Sequence, residues 1–582
     1  MDTNENILAE DKIENQKNET ESKNKKDNEK KPKKWKYMVG ALLIVLSVML
    51  VYVYFWTVGK FGNIPFAQVI FHLVVPMEGA DSSFVIDYIT GTLSILLCVA
   101  VVAYIPFIPD TKVFKSIFSK VGKNKNKKNE DTEEKKKRPK YGEKKKSMPA
   151  RIWGFIKRML GAVRRFYVRH FLPITSVVLV GVIIFDVFAF GIDEWLADRL
   201  DSNTIFEDYY VDSADANIQF PADGEKKNLI FILSESLEAS FADEESGGMM
   251  DRNYIPNLTR LAEENTHFSS RDNIQGATEV EGVSWTIAAM VSYTSGVPLM
   301  IPIGDNSYGR YEEFLPGVTS MGELLKKNGY TNEIILGSKS EFAGIDTYFK
   351  SHGDYKIFDY YTAIERELIS EDYYEFWGYE DVKLFDYAKT EIEELSQSEQ
   401  PFSIIINTID MHTPLGYKCS ECGSTYTEKY LNVIACQDRQ INEFVEWVKT
   451  QDFYEDTVIV IAGDHLSMAP KVEQQYWPED GTDWNDDPTY LLDGRYERTT
   501  YHVIINSDVE ATNTTNRIFS TMDMYPTIMT AIGCKIEGDR LGIGTNLYSG
   551  TPTVMEIMGK EKFMDEISKN SILYNDEILG VE

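Results

Sequence analysis

The sequence predicts transmembrane helices at the N-terminus followed by an extracellular α/β domain built on a central, mostly parallel sheet. Three observations point to this class. Long apolar blocks crowd the first third of the chain, and Lys/Arg-rich stretches flank them. Beyond Asn228, short β-branched runs alternate with segments whose apolar residues recur every three or four positions. That alternation builds parallel sheets covered by helices.

Residues 1–35 are rich in Lys, Glu and Asn with almost no apolar content, a composition that cannot bury a core and predicts a disordered tail. The block from Tyr37 to Val58 has the length of about 20 residues that a helix needs to cross hydrocarbon. It is too long for a cleavable signal and lacks a small-residue cleavage site. Further blocks lie near Val85–Ile108 and Leu172–Trp195. Positive residues precede the first block, follow the second and precede the third. The positive-inside rule therefore puts 1–35 and 110–170 in the cytoplasm and the chain after about residue 195 outside. The expected organisation is a tail (1–35), two spans joined by an external interfacial loop (36–109), a basic cytoplasmic loop (110–170), a third span (171–196), a linker (197–225) and an external domain (226–582). His72, in the apolar external loop, reads as a packed or interfacial histidine.

The net charge of −31 conceals an asymmetry: 21–37 and 112–170 are basic, whereas the chain beyond Trp195 is acidic. An acidic external domain has nothing to neutralise a nucleic-acid backbone, so nucleic acid is excluded as a partner. The basic blocks beside apolar runs point to a membrane surface. Of the five cysteines, Cys98 lies in an apolar run, Cys419, Cys422 and Cys436 cluster, and Cys534 stands apart. A structural zinc site wants four ligands and no second pair supplies them. Outside the cell, one local disulfide among the three is expected.

In the external domain, NLIFILSES, YTNEIIL, PFSIIINTI, DTVIVIAGDH and TYHVIIN read as strands, and VTSMGELLKKNG and NVIACQDRQINEFVEWVKT as helices. Ligands of such sheets bind beyond the carboxyl ends of the strands. The residues that follow the apolar runs therefore carry the information. Glu235 follows FILS, His412 follows IIINTIDM, and Asp464–His465 follow VIVIAG. Carboxylate and imidazole together suit a divalent metal such as Mn²⁺ or Zn²⁺.

A nucleophile would come from a helix start, where free N–H groups stabilise developing negative charge. The segment GATEVEGVSWTIAAMVSYTSGVPL offers Thr286 behind Trp285, with Thr278 and Ser284 as rival hydroxyls. A hydroxyl becomes a useful nucleophile when metal coordination lowers its pKa. Lys339 and Arg310 could meet a phosphate, and His502 could line the site, whereas His352 reads as a satisfied core histidine. The acidic insert 470–495 is expected to form a loop over the rim.

The pieces NLIFILSESLEAS, GVSWTIAAMVSYTSGVPL, FAGIDTYFKSHG, NTIDMHTPLGY, VIVIAGDH, DMYPTIM and GDRLGIGTNLYSG, in this order, resemble the phosphoglycerol transferase and lipoteichoic-acid synthase family of the alkaline phosphatase–sulfatase superfamily. The resemblance implies a sulfatase-like fold for the external domain, with Glu235, Asp464, His465 and Thr286 holding one divalent metal. Mn²⁺ is the expected ion, with Mg²⁺ or Zn²⁺ as alternatives. It implies Thr286 as nucleophile, the register to Gly296 favouring it over its rivals, and His412 on the substrate phosphate; Trp285, Lys339 and His502 are expected as further substrate-binding residues. The Cys/Ser-x-Pro-x-Arg setting of sulfate-ester hydrolases is replaced by Thr-Ile-Ala-Ala-Met. The implied activity is transfer of phosphoglycerol from an anionic phospholipid donor, phosphatidylglycerol, to an envelope glycan or polymer, by a multi-pass protein of the cell membrane. A phosphoethanolamine transferase or phosphodiesterase on the same fold, or a non-catalytic polymer-binding member, are the alternatives.

Overall fold

In a computed structural model the described residues are 34–62, 64–74, 82–104, 155, 159, 162–163, 165–300, 314–413, 415–468, 490–491 and 496–580. Arg310 and nearly all of the acidic insert lie outside them. The chain divides into two compact units, 1–55 with 86–187, and 56–85 with 188–582.

The first unit carries the apolar helices α1 (Lys34–Phe61, whose last turns belong to the second unit), α3 (Ser82–Tyr104) and α4 (Phe171–Ala189). Among the described residues, α1 from Trp35 and α4 are long and apolar enough to cross a membrane. In α3 the apolar stretch is shorter, Val85–Leu97. Between α1 and α3 the external loop forms the helix α2 (Phe66–Val74), which belongs to the second unit.

The second unit is built on six strands: β1 (Asn228–Ser234), β2 (Thr331–Leu336), β3 (Lys356–Phe358), β4 (Phe402–Asn407), β5 (Thr457–Gly463) and β6 (His502–Ile505). Their order across the sheet is β3-β2-β4-β1-β5-β6. All neighbours are parallel except β6, which runs antiparallel at the edge. The five apolar runs read from the sequence are all strands, and the short edge strand β3 is added to them. A strand in the middle of such a sheet is apolar on both faces. In β1, Leu229, Phe231 and Leu233 enter one core while Ile230 and Ile232 enter the other. The helices α5 (Thr286–Ser295), α6 (Met321–Lys327), α7 (Asp381–Ser396) and α8 (Lys429–Lys449) pack over these cores. The stretch expected as a linker carries a helix of its own, Ile205–Tyr209, because Phe206 is buried against Tyr574 at the far end of the chain.

The register of the central strands places the site. Ser234 of β1 lies opposite Gly463 of β5, so Glu235 emerges beside Asp464. A Cβ on Gly463 would stand 1.8 Å from the Leu237 carbonyl oxygen. Glycine is thus required where the two strand ends come closest.

Candidate active site

Glu235, Asp464 and His465 are buried, and one ligand atom from each lies within 4.8 Å of the others. His465 Nε2 stands 3.6 Å from Glu235 Oε1 and 3.5 Å from Asp464 Oδ2. Its Nδ1 is 2.8 Å from the Leu466 carbonyl oxygen. An Nδ1–H donated there leaves Nε2 as the nitrogen facing the carboxylates, the one a metal would bind once its proton is lost. Asp464 uses Oδ1 to accept the backbone N–H groups of Ser236 and His465, both at 2.7 Å. Its Oδ2 is buried and has no hydrogen-bond partner among the described residues. A buried orphan carboxylate oxygen is costly unless a cation meets it. The donor set therefore fits a divalent metal with oxygen and nitrogen preference.

The electrostatics agree. Burial raises the Glu235 carboxyl above its ordinary range. Burial and then Glu235 push Asp464 up to about 7. Burial works against a charge on His465, but Asp464 and Glu235 outweigh it and hold the imidazole at about 9. Two carboxylates crowded into one dry space, offset here by the proton on His465, are what a divalent cation would neutralise in that proton's place.

Thr286 is the first residue of α5, capped by Trp285 in extended conformation. Its Oγ1 donates to Glu235 Oε2 at 3.4 Å, so the hydroxyl reaches the same group. The rivals stand differently. Thr278 Oγ1 donates to Glu497 Oε1 at 3.3 Å, and Ser284 Oγ is buried without a described partner.

His412 lies on the loop after β4, which Asp381 holds by accepting the N–H groups of Ile409 and Asp410 at 2.8 and 3.0 Å. Burial lowers its imidazole to about 4, and Nδ1 faces the Thr413 carbonyl oxygen at 3.1 Å. The ring packs on Trp377 with centroids 4.6 Å apart.

Lys339 and His502 are not brought into this group. Lys339 Nζ sits over the rings of Tyr360, Tyr361 and Tyr374 at 5.4 to 5.9 Å. His502 Nε2 accepts the Phe268 N–H at 3.0 Å, and its ring stacks on His267. His352 is a core histidine, bonded to Glu323 and to the Phe314 carbonyl. Cys419, Cys422 and Cys436 converge as thiols, with Sγ–Sγ distances of 3.5 and 3.8 Å, so the expected local disulfide is not formed in this structure.

Several residues that shape the site have no signature in the sequence. Ser236 adopts φ 53°, a left-handed conformation rare for a non-glycine residue. Its Oγ–H donates to Glu235 Oε1 at 2.7 Å. Thr408 Oγ1 accepts the Glu235 N–H, and Glu279 Oε2 accepts the Leu466 N–H. Glu238 accepts the Ser467 N–H at 2.7 Å and pairs with the buried Arg498.

Comparison with known proteins fits this arrangement. The chain is 30% identical over 334 residues to phosphoglycerol transferase I of Salmonella choleraesuis (strain SC-B67). It is 30% identical over 338 residues to phosphoglycerol transferase I of Escherichia coli (strain 55989 / EAEC). Each match takes in 56% of this chain and 39% of the relative, so the chain spans about two fifths of the length of these relatives. Among solved structures it is similar to the lipoteichoic acid synthase LtaP of Listeria monocytogenes, with TM-score 0.41 and 20% identity over 57% of this chain and 79% of that one. It is also similar to an alkaline phosphatase superfamily protein of Vibrio parahaemolyticus, with TM-score 0.42 and 21% identity over 56% and 72% of the two chains. The Sulfatase family model matches residues 227–534, a span that runs through Glu235, Thr286, His412 and Asp464–His465 and takes in more than half of the sequence. The chain belongs to the sulfatase family.

Proposed function

We propose that this protein is a membrane-anchored phosphotransferase that moves phosphoglycerol from phosphatidylglycerol to a hydroxyl of an envelope glycan or polymer. The observation that carries this reading is the Thr286 hydroxyl 3.4 Å from Glu235, within the group completed by Asp464 and His465. A hydroxyl among metal ligands at a helix start is suited to attack phosphorus. The 30% identity to phosphoglycerol transferases supports the choice of head group.

In this reading Glu235, Asp464, His465 and Thr286 hold one divalent ion, Mn²⁺ by preference. When bound, it lowers the pKa of the Thr286 hydroxyl and neutralises charge on the phosphoryl oxygens. Thr286 Oγ forms a bond to phosphorus, and the bond from phosphorus to the diacylglycerol oxygen breaks. The proton lost by Thr286 matches the one gained by diacylglycerol, and His412 carries it through the Nε2 that its Thr413 contact leaves free. In the second displacement the acceptor hydroxyl replaces Thr286 and gives up its proton by the same route. The spans 36–109 and 171–196 hold the domain on the outer face, within reach of donor headgroups.

Intact-mass analysis of the full chain, purified in detergent and incubated with Mn²⁺ and phosphatidylglycerol, tests this. A gain of one glycerophosphate in wild type and none in Thr286→Ala supports donor, nucleophile and two-step chemistry together. An adduct with phosphatidylethanolamine instead would replace the head group. An adduct that survives in Thr286→Ala would sink the nucleophile.

A further inference from the structure

The helix α2 stands against residues that flank the nucleophile and the catalytic histidine. Phe71 is fully buried, and its ring lies 5.6 Å from that of Trp285, the residue before Thr286. His72 stacks on Phe342, with centroids 5.7 Å apart and planes 19° apart. Phe342 packs on Trp377 at 5.2 Å, and Trp377 on His412 at 4.6 Å. A row of four rings thus joins two imidazoles, one from the external loop and one from the loop after β4. The entry to α2 is tied to the same wall, since Thr413 Oγ1 donates to the Lys60 carbonyl oxygen at 2.7 Å.

His72 brings a polar ring to this wall with no hydrogen-bond partner among the described residues, although the ring is half-buried. Burial, and then His412, lower its pKa to about 4, so the ring is neutral and offers one donor and one acceptor. A neutral imidazole suits a hydroxylated or phosphodiester head group and would not hold a bare anion by charge. Its place in the chain bears on the ligand as well. Lys60, whose carbonyl ties the loop down, lies at the end of the apolar helix α1, so α2 begins where that helix would leave the hydrocarbon.

We infer that His72 is a substrate-binding residue of the active site, supplied by the membrane-proximal loop, which hydrogen-bonds the glyceryl phosphate head group of the phospholipid donor. The inference rests on the proposed transfer from phosphatidylglycerol and adds the loop's part in selecting it. Phe71 acts through Trp285, and holds the loop against the start of α5.

The test uses the full chain in detergent with Thr286→Ala, which blocks turnover, and dihexanoylphosphatidylglycerol as probe. His72→Phe keeps the stack on Phe342 and removes both ring nitrogens, so it separates packing from hydrogen bonding. Affinity about tenfold weaker in His72→Phe, with partial recovery in His72→Asn and an unchanged melting temperature, is expected for one lost hydrogen bond. Full affinity in His72→Phe would show that the ring only packs, and would overturn the inference while the Thr286 adduct still stood. No binding of the probe by Thr286→Ala at all would overturn the inference together with the reading beneath it.

Discussion

The backbone N–H of Ser236 donates to Asp464 Oδ1 at 2.7 Å while the Ser236 hydroxyl donates to Glu235 Oε1 at the same distance. One residue therefore orients two buried carboxylates from adjacent strands, and it does so from a left-handed conformation. The backbone contact survives in Ser236→Ala and the hydroxyl contact does not. Loss of such an outer contact weakens metal binding, and here we expect Mn²⁺ affinity to fall about tenfold. Calorimetric titration with Mn²⁺ checks this. Unchanged affinity in Ser236→Ala would mean that the strand register alone positions Glu235.

The buried charges make metal binding depend on pH. Without metal, Asp464 is pushed up from 3.8 to about 7 and His465 from 6.5 to about 9. Both folded-state values lie above the unfolded ones, so the folded state binds protons more tightly. Stability from Asp464 is present at pH 4 and is lost as pH rises through about 7. That from His465 is lost as pH rises through about 9. A cation binds the deprotonated set and so gains as these protons leave. The melting temperature of the metal-free protein should fall from pH 5 to pH 9, and the increase given by Mn²⁺ should widen over the same range. An increase independent of pH would show that the ion does not use these groups.

The strand ends were legible in the sequence because a buried parallel strand is a continuous β-branched run, and Glu235, His412 and Asp464–His465 stand just past such runs. The support around them was not. Arg498 lies 260 positions from Glu238, which it neutralises, and no periodicity links them. Asp381 sits at the start of a helix and reads there as an ordinary N-terminal acid, yet it accepts two N–H groups from the loop that carries His412. His72 read as a packing residue because its partners, Phe342 and the aromatic row to His412, come together only in the fold. Lys339 and His502 were expected on the substrate from residue type alone, and their side chains meet tyrosine rings and a backbone N–H.

The Glu238–Arg498 pair gives a stability test away from the Glu235–Asp464–His465 group. Both side chains are buried, and the pair fixes the loop after His465, since Glu238 accepts the Ser467 N–H and Arg498 donates to the Ser467 carbonyl at 2.8 Å. Removing one partner leaves the other charge buried and alone. Arg498→Ala should cost about 3–5 kcal/mol. Chemical denaturation of the full chain in detergent measures it. A loss comparable to that of an exposed ion pair, below about 1 kcal/mol, would mean that water reaches Glu238 in the folded state.

The proposal that Thr286 rather than Thr278 is the nucleophile rests on what each hydroxyl touches. Thr286 Oγ1 reaches Glu235, where a bound cation would sit beside it. Thr278 Oγ1 reaches Glu497, a carboxylate already paired with Lys560. A hydroxyl beside a neutralised carboxylate and away from the ligand group has nothing to lower its pKa. Thr286→Ala should therefore reduce transfer by at least about a thousandfold, as removal of a nucleophile does. Thr286→Ser should keep a measurable rate and still form the adduct. Thr278→Val should leave the glycerophosphate adduct on Thr286, seen by peptide mapping of the intermediate. An adduct on the peptide containing Thr278, or full activity in Thr286→Ala, would transfer the nucleophile's role to the start of that loop and leave Thr286 as a helix-end residue.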